Sequence, residues 1–188
     1  MVGTALASVL MTDIEGSCRL WERAPAAMDR AMVLHDALVT GAVTRSGGQV
    51  LRTKGEGDSS FAIFPAASLA LFAAVDLQRR LATTTWPTPG PLRLRMVVAT
   101  GDLSHRDGDV LGLPLCRAAR VRSLARGGDV VLTAATASLV ADTLPRGTSL
   151  LDRGVHTLPG LARSEHVYEV AWSDGGRGPT VPPLRQLR

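Results

Sequence analysis

Strand-like and helix-like apolar runs alternate along the chain, and their order limits the folds it can adopt. The predicted elements are a strand at 5–11, a helix at 19–45 that breaks at Pro25, the strands QVLRTK and SSFAIF around a Gly-rich turn, a helix at 65–81 and a strand at 92–100. The first helix places Leu34 and Leu38 on its apolar face. This β-α-β-β-α-β order predicts an α+β fold with a ferredoxin-like core.

The pattern continues beyond this core. It predicts a loop near Asp107-Gly108, a helix near 113–124, a strand at 129–133, a helical piece at 134–141 and strands near 148–158 and 166–171. The final segment, SDGGRGPTVPPLRQLR, is rich in Gly and Pro and has no apolar period. We therefore expect one folded domain over residues 1–172 and a flexible Gly/Pro/Arg tail over 173–188.

Composition excludes several classes of protein. With 188 residues, 45% of them hydrophobic and 20% charged, the chain can form one soluble domain. Two cysteines cannot form the framework of a small secreted scaffold. The longest uncharged run lies between Asp58 and Asp76, is too short for a bilayer and contains Pro65. The N-terminus has no basic region typical of a signal peptide, so we expect a cytoplasmic protein without a membrane partner.

The net charge of +4 depends strongly on the tail. Three arginines and one aspartate lie in residues 173–188, so removing them lowers the charge by two. Because the remaining charge is nearly balanced, the sequence does not indicate nucleic-acid binding.

Two aspartates lie at the ends of predicted strands, and the topology brings them together. Asp13 follows the first strand, and Asp58 precedes the strand that we expect to pair with it. Two converging carboxylates repel unless a divalent cation lies between them, and Mg²⁺ favours one or two carboxylates together with phosphate oxygens. The alternative is that Asp13 caps a helix and Asp58 occupies a turn.

Further polar side chains and backbone groups could donate hydrogen bonds to a phosphate or a ring nitrogen. Lys54, the chain's one lysine, could donate to a ring nitrogen or a phosphate, or could be a solvated charge at a strand end. Asp109 precedes the predicted third helix, in which Cys116 and Arg120 share a face. Arg120 could bind a phosphate in a bidentate manner, or could be a surface arginine, and Cys116 could be a small buried side chain. The stretch 14–17 begins a helix whose N–H groups could hold a polyphosphate.

These stretches together resemble the catalytic domain of class III adenylate/guanylate cyclases in its bacterial single-domain form. The matching segments are MTDIEGSCRLWE (11–22), KGEGDSSFAIF (54–64), GDVLGLPLCRAARV (108–121) and, more weakly, GVHTLPGLARSEHVYEV (154–170). The first three have the order and internal spacing of the family. The resemblance covers residues 5–170 and implies the class III cyclase fold, a ferredoxin-like core with a C-terminal αβ extension.

The resemblance also implies a reaction, the cyclisation of ATP to 3′,5′-cyclic AMP and pyrophosphate. Two Mg²⁺ or Mn²⁺ ions would be held by Asp13, Asp58 and the carbonyl of Ile14. Lys54 and Asp109 would recognise adenine, and Arg120 would stabilise the transition state. The substrate-binding stretch would comprise Ile14, Glu15, Gly16 and Ser17. The sites would form between two copies of the chain, with the aspartates from one subunit and Lys54, Asp109 and Arg120 from the other.

Two departures from the family pattern predict a lower activity. Cys116 stands where the family has an asparagine that orients the ribose, and a thiol is a weak donor, so the rate deficit would be ~10²–10³-fold. Pro159 stands where the family often has a lysine that binds phosphate. The alternative is therefore a degenerate cyclase domain that binds nucleotide or dimerises as a regulatory module.

Overall fold

The computed structural model describes residues 3–51, 57–106 and 109–172. Lys54 and the tail lie outside these described residues. The elements are β1 (Gly3–Ile14), α1 (Ser17–Arg23), α2 (Pro25–Arg45), β2 (Gln49–Leu51), β3 (Ser60–Phe64), α3 (Ala67–Thr83), β4 (Leu94–Arg106), β5 (Asp109–Leu111), α4 (Leu113–Arg122), β6 (Val130–Thr133), α5 (Ala134–Val140), β7 (Thr148–His156) and β8 (Glu165–Trp172). No helix in these ranges is long and apolar enough to cross a membrane.

The described strands form one sheet in the order β2-β3-β1-β4-β6-β8-β7, and β5 pairs with β4. The first four strands of this order are antiparallel neighbours and form the ferredoxin-like core that the sequence predicts. β6 is parallel to β4, and β8 and β7 extend the sheet beyond it. The fold class expected from the sequence is therefore confirmed.

Helices cover both faces of the sheet because alternate residues of the central strands are apolar on both sides. On one face, Leu10 of β1 and Leu94 of β4 pack with α2, α3 and α5. On the other face, Val9 and Val97 pack with α4 through Val121. A buried hydrogen bond also joins α3 to the sheet, because the Gln78 amide of α3 donates to the carbonyl of Leu94 in β4 at 2.9 Å.

Several predicted boundaries and one helix face were wrong. β1 continues through Asp13 and Ile14, and β4 extends to Arg106, because the two strands pair along nearly their whole lengths. The expected loop before α4 contains the short strand β5. In α2, Leu34 is 40% exposed while His35 is fully buried, so the buried face is rotated from the predicted one.

Candidate active site

The structure brings the two predicted metal-binding segments to the same end of the sheet. The register pairs Thr12 of β1 with Ser60 of β3, so Asp13 lies beside the turn that contains Asp58. The Ser59 hydroxyl, next to Asp58 in the chain, donates to Oδ1 of Asp13 at 3.3 Å. Both aspartates are half-buried. One side-chain hydrogen bond thus joins the two carboxylate-bearing segments directly.

Two arginines that the sequence analysis did not single out also contact this end of the sheet. Arg95 of β4 is the register partner of Asp13 and forms an ion pair with its carboxylate. Arg122, at the end of α4, donates to the carbonyl of Thr12 at 3.0 Å and to the hydroxyl of Ser59 at 3.5 Å. Both contacts depend on tertiary register, which the local sequence pattern does not reveal.

The oxygen chemistry of the site fits a divalent cation. Oδ2 of Asp58 is buried and has no hydrogen-bond partner among the described residues. A buried carboxylate oxygen without a donor is costly, and a cation satisfies it. No group of three or more His, Cys, Asp or Glu side chains in the described ranges could hold a metal. Two carboxylates leave the remaining coordination to backbone, water or phosphate oxygens, as Mg²⁺ sites commonly do.

The stretch predicted to bind phosphate follows directly from β1. Ile14 is buried and pairs with Leu94 of β4. The N–H of Glu15 donates to the carbonyl of Arg93 at 2.9 Å, so this donor already has a partner. Gly16 has a φ of 72°, in the left-handed region that favours glycine, and it turns the chain into α1 at Ser17. The N–H groups of Gly16 and Ser17 remain the candidate phosphate donors.

Asp109 lies far from Asp13 within one chain. Asp109 pairs with Arg106 at one end of β4, whereas Asp13 pairs with Arg95 near the other end. At about 3.3 Å per strand residue, these two positions on β4 are roughly 35 Å apart along the strand. A single chain therefore does not bring the predicted adenine-binding aspartate to the predicted metal site.

The two predicted catalytic side chains of α4 are exposed. Cys116 and Arg120 both lie at the surface, so the alternative of a buried thiol is wrong. Leu111 and Leu113 nearby are 49% and 58% exposed. Arg122, by contrast, extends from the same helix to Thr12.

Pro159, the second departure from the family pattern, is exposed in the turn between β7 and β8. Gly160 follows it with a φ of 78°.

Asp129 and Glu169 form a buried acidic pair at the loop that joins α4 to β6 and passes Glu15. The loop between α4 and β6 passes so close to Glu15 that a Cβ on Gly127 would lie 2.8 Å from Oε2 of Glu15. In this loop, Oδ2 of Asp129 accepts the N–H of Arg126 at 2.8 Å, and burial raises the pKa of Asp129. Burial also raises the pKa of Glu169, although that carboxylate forms an ion pair with Arg153.

Sequence comparison finds relatives of two kinds. An uncharacterised protein of Mycobacterium tuberculosis is 40% identical over 185 residues, which cover 98% of this chain and 62% of that protein. A second uncharacterised M. tuberculosis protein is 31% identical over 185 residues, covering 95% of this chain and 69% of its own length. An adenylate cyclase of Neurospora crassa is 34% identical over 153 residues, which are 68% of this chain and 6% of the fungal protein. No protein-family model matches the chain.

Solved cyclase structures share the whole fold. A Trypanosoma brucei adenylate cyclase in its monomeric state superposes with a TM-score of 0.83 at 23% identity, covering 97% of this chain and 95% of that one. The adenylyl cyclase CyaB of Pseudomonas aeruginosa superposes with a TM-score of 0.77 at 20% identity, covering 95% of this chain and 100% of that one.

The chain therefore has the fold of a class III adenylyl/guanylyl cyclase domain, and the resemblance inferred from its motifs is confirmed. The chain belongs to the same family as the second M. tuberculosis protein, which is 31% identical to it and of whose length it covers 69%. It spans only about three fifths of the length of the 40% identical relative.

Proposed function

We propose that this domain is an adenylyl cyclase that converts ATP to 3′,5′-cyclic AMP and pyrophosphate with two Mg²⁺ or Mn²⁺ ions. The observation that carries the proposal is the hydrogen bond from the Ser59 hydroxyl to Asp13, which joins the Asp13 and Asp58 segments in a fold shared with class III cyclases. The buried oxygen of Asp58 that has no hydrogen-bond partner among the described residues adds a chemical reason for a cation at this position.

In the proposed reaction the 3′-hydroxyl of ATP gives its proton to water and its oxygen attacks the α-phosphorus. The bond between the α-phosphorus and the oxygen that bridges to the β-phosphate breaks and releases pyrophosphate. When bound, the divalent ions supply Lewis-acid activation and charge neutralisation at the phosphates. Asp13, Asp58 and the Ile14 carbonyl would hold those ions. Arg120 would offset the charge that develops on the α-phosphoryl oxygens. Because both reacting atoms belong to one molecule, orientation by the chain removes much of the barrier.

We further propose that the complete site forms between two copies of the chain. Two observations support this: Asp109 lies at the opposite end of β4 from the register partner of Asp13, and Arg120 is exposed on α4. The exposed Leu111 and Leu113 provide apolar surface beside these residues. A head-to-tail pair would place one copy's Asp109 and Arg120 opposite the other copy's aspartates.

The central test is a cyclase assay on the purified chain with Mn-ATP and with Mg-ATP. We expect cyclic AMP and pyrophosphate in equal amounts, at a rate lowered by the thiol at Cys116. Asp58→Asn should abolish the product and also the thermal stabilisation that Mn²⁺ gives the unliganded protein. Asp142→Asn, an exposed aspartate outside the site, is the matched control.

The outcomes separate an enzyme from a regulatory module. No product above the Asp58→Asn background would refute the cyclase. ATP binding by calorimetry without turnover would instead favour the degenerate domain that Cys116 and Pro159 suggest. In that case Cys116→Asn should restore measurable cyclic AMP if the missing amide is the cause.

Base selectivity is a separate part of the proposal. Lys54 would donate to N1 of adenine, and Asp109 would accept from the exocyclic amine. The double substitution Lys54→Glu with Asp109→Cys should therefore shift preference from ATP toward GTP. An unchanged ratio of kcat/KM for the two nucleotides would show that these residues do not recognise the base.

A further inference from the structure

An ion pair joins the middle of α4 to strand β8. The guanidinium of Arg117 donates to Oε2 of Glu165, and the two side chains are only 21% and 7% exposed. The other carboxylate oxygen, Oε1, accepts the N–H of Ala134 at 2.8 Å, at the start of α5. One buried carboxylate therefore holds three elements together, the helices α4 and α5 and the strand β8.

The ion pair and a second polar contact lie on opposite edges of α4. Ala118 and Val121 are fully buried and mark the centre of the helix face that packs on the sheet. At 3.6 residues per turn, Arg117 and Arg122 lie about 70° to either side of that centre. Arg122 donates to the carbonyl of Thr12 at 3.0 Å. Polar contacts on both edges oppose rotation of the helix about its axis in either direction.

Apolar packing alone holds this rotation weakly. The close contact between α4 and β4 lies near the centre line of the buried face, where a Cβ on Gly101 would lie 2.6 Å from Cγ of Pro114. The side chains that fill the face are small, and apolar contact has no direction of its own. The rotation of α4 therefore depends on the polar contacts at its edges.

Rotation of α4 displaces the side chains on its exposed face. Cys116 lies nearly opposite the buried face, and Arg120 lies about 40° from Cys116 around the helix. With side chains the helix has a radius of about 6 Å, so a rotation of about 15° moves these groups by roughly 1.5 Å. A misplacement of about 1 Å in an active site can lower a rate by about 10²-fold.

We propose that Arg117 is a positioning residue that acts through its ion pair with Glu165. The pair sets the rotation of α4 and hence the direction in which Arg120 and Cys116 extend from it. Because Glu165 engages the guanidinium of Arg117, this arginine acts on Arg120 rather than on the substrate. The effect on catalysis rests on the proposed cyclase function, whereas the rotation of α4 is a property of the fold that can be measured without ATP.

The first test measures the position of α4 directly. Cys18 in α1 and Cys116 in α4 are both exposed and are the chain's two cysteines, so spin labels on them report one distance within the chain. Diluting labelled chains into excess unlabelled protein removes distances between copies. Glu165→Gln removes the charge that holds Arg117, far from both labels in the sequence, and retains an oxygen for the N–H of Ala134.

We expect a narrow distance distribution in the unsubstituted chain and a broadened or shifted one in Glu165→Gln and in Arg117→Met. Arg117→Lys retains the positive charge and should restore the narrow distribution. Arg45→Met removes a solvent-exposed ion pair with Asp76, between α2 and α3 on the opposite face of the sheet, and should leave the distribution unchanged. An unchanged distribution in Glu165→Gln and Arg117→Met would overturn the proposal.

The second test is kinetic. Arg117→Met should lower kcat by about 10²-fold while the KM for ATP changes by less than about threefold, because the displaced groups act in the transition state. Arg117→Lys should recover most of kcat, and Arg45→Met should leave kcat unchanged. A loss of kcat that is equal in Arg45→Met and Arg117→Met, or a change confined to KM, would contradict the positioning role.

The two tests separate this proposal from the cyclase proposal. If the unsubstituted chain forms no cyclic AMP, the cyclase proposal fails, and the spin-label distances still decide whether Arg117 orients α4. If the chain is active and the distances in both variants match those of the unsubstituted chain, the positioning proposal fails alone.

Discussion

Two arginines, two residues apart on α4, occupy very different surroundings. Arg122 donates to the carbonyl of Thr12 and to the hydroxyl of Ser59, so it contacts both segments that carry the proposed metal-binding aspartates. Arg120 is exposed on another face of the helix. The sequence motif marks Arg120, whereas the contacts of Arg122 follow only from the packing of α4 against β1. We infer that Arg122 is a positioning residue for the Asp13 and Asp58 segments.

Substitution of each arginine by methionine should separate these roles. Arg122→Met removes a charged hydrogen bond to Thr12, so we expect the Mn²⁺ concentration for half-maximal activity to rise by about tenfold. Arg120→Met should leave that concentration unchanged and lower kcat by ~10²–10³-fold, as expected for a lost transition-state contact. Titrating activity with Mn²⁺ at saturating ATP measures both quantities. An unchanged Mn²⁺ dependence in Arg122→Met would contradict the positioning role.

At the scale of elements, apolar periodicity was sufficient to predict the strand and helix order. It could not place element ends that depend on a partner, which is why β1 and β4 were predicted too short and β5 was missed. Apolar periodicity also predicted the wrong buried face for α2, where polar His35 is buried and Leu34 is exposed. The candidate site was predictable as a pair of aspartates, but the ion pair of Arg95 required the register of β1 against β4.

The loop between α4 and β6 links the candidate site to a buried acidic pair. Gly127 packs against Glu15, and Asp129, a residue that is only 7% exposed, follows two residues later. Burial raises the pKa of Asp129 above its ordinary 3.8 and that of Glu169 above 4.5. The folded state therefore binds a proton at each of these two carboxyls more tightly than the unfolded state does. The resulting stabilisation of the fold is fully present below about pH 4 and is lost as the pH rises through the raised pKa values.

Asp129→Asn should therefore stabilise the fold at neutral pH relative to acid pH. An asparagine oxygen can still accept the N–H of Arg126, while the buried charge is removed. We expect the difference in unfolding free energy, variant minus wild type, to increase from pH 4 to pH 7 in urea titrations. Asp142→Asn, at an exposed position, should show no such trend. A difference that stays flat or falls with pH would show that burial does not control this carboxyl.

At the scale of the whole molecule, the long strand β4 separates the parts of the proposed active site. Near the start of β4, Arg95 pairs with Asp13. At the end of β4, Arg106 pairs with Asp109, the first residue of β5. A separation of roughly 35 Å along a strand cannot be closed by side-chain movement. The proposed chemistry therefore requires a second molecule, and the exposed leucines beside Asp109 offer it apolar surface.

Mixing two inactive variants tests this architecture. Asp58→Asn removes the metal-binding side of every site and Arg120→Met removes the opposing side, so each homodimer should be inactive. In an equimolar mixture at random association, half of the dimers are hybrids, and each hybrid has one site with both defects and one site with none. We expect about a quarter of the wild-type rate of cyclic AMP formation. If one chain supplied both residues to the same site, every site in the hybrid would carry one defect, and the mixture would remain as inactive as either variant alone.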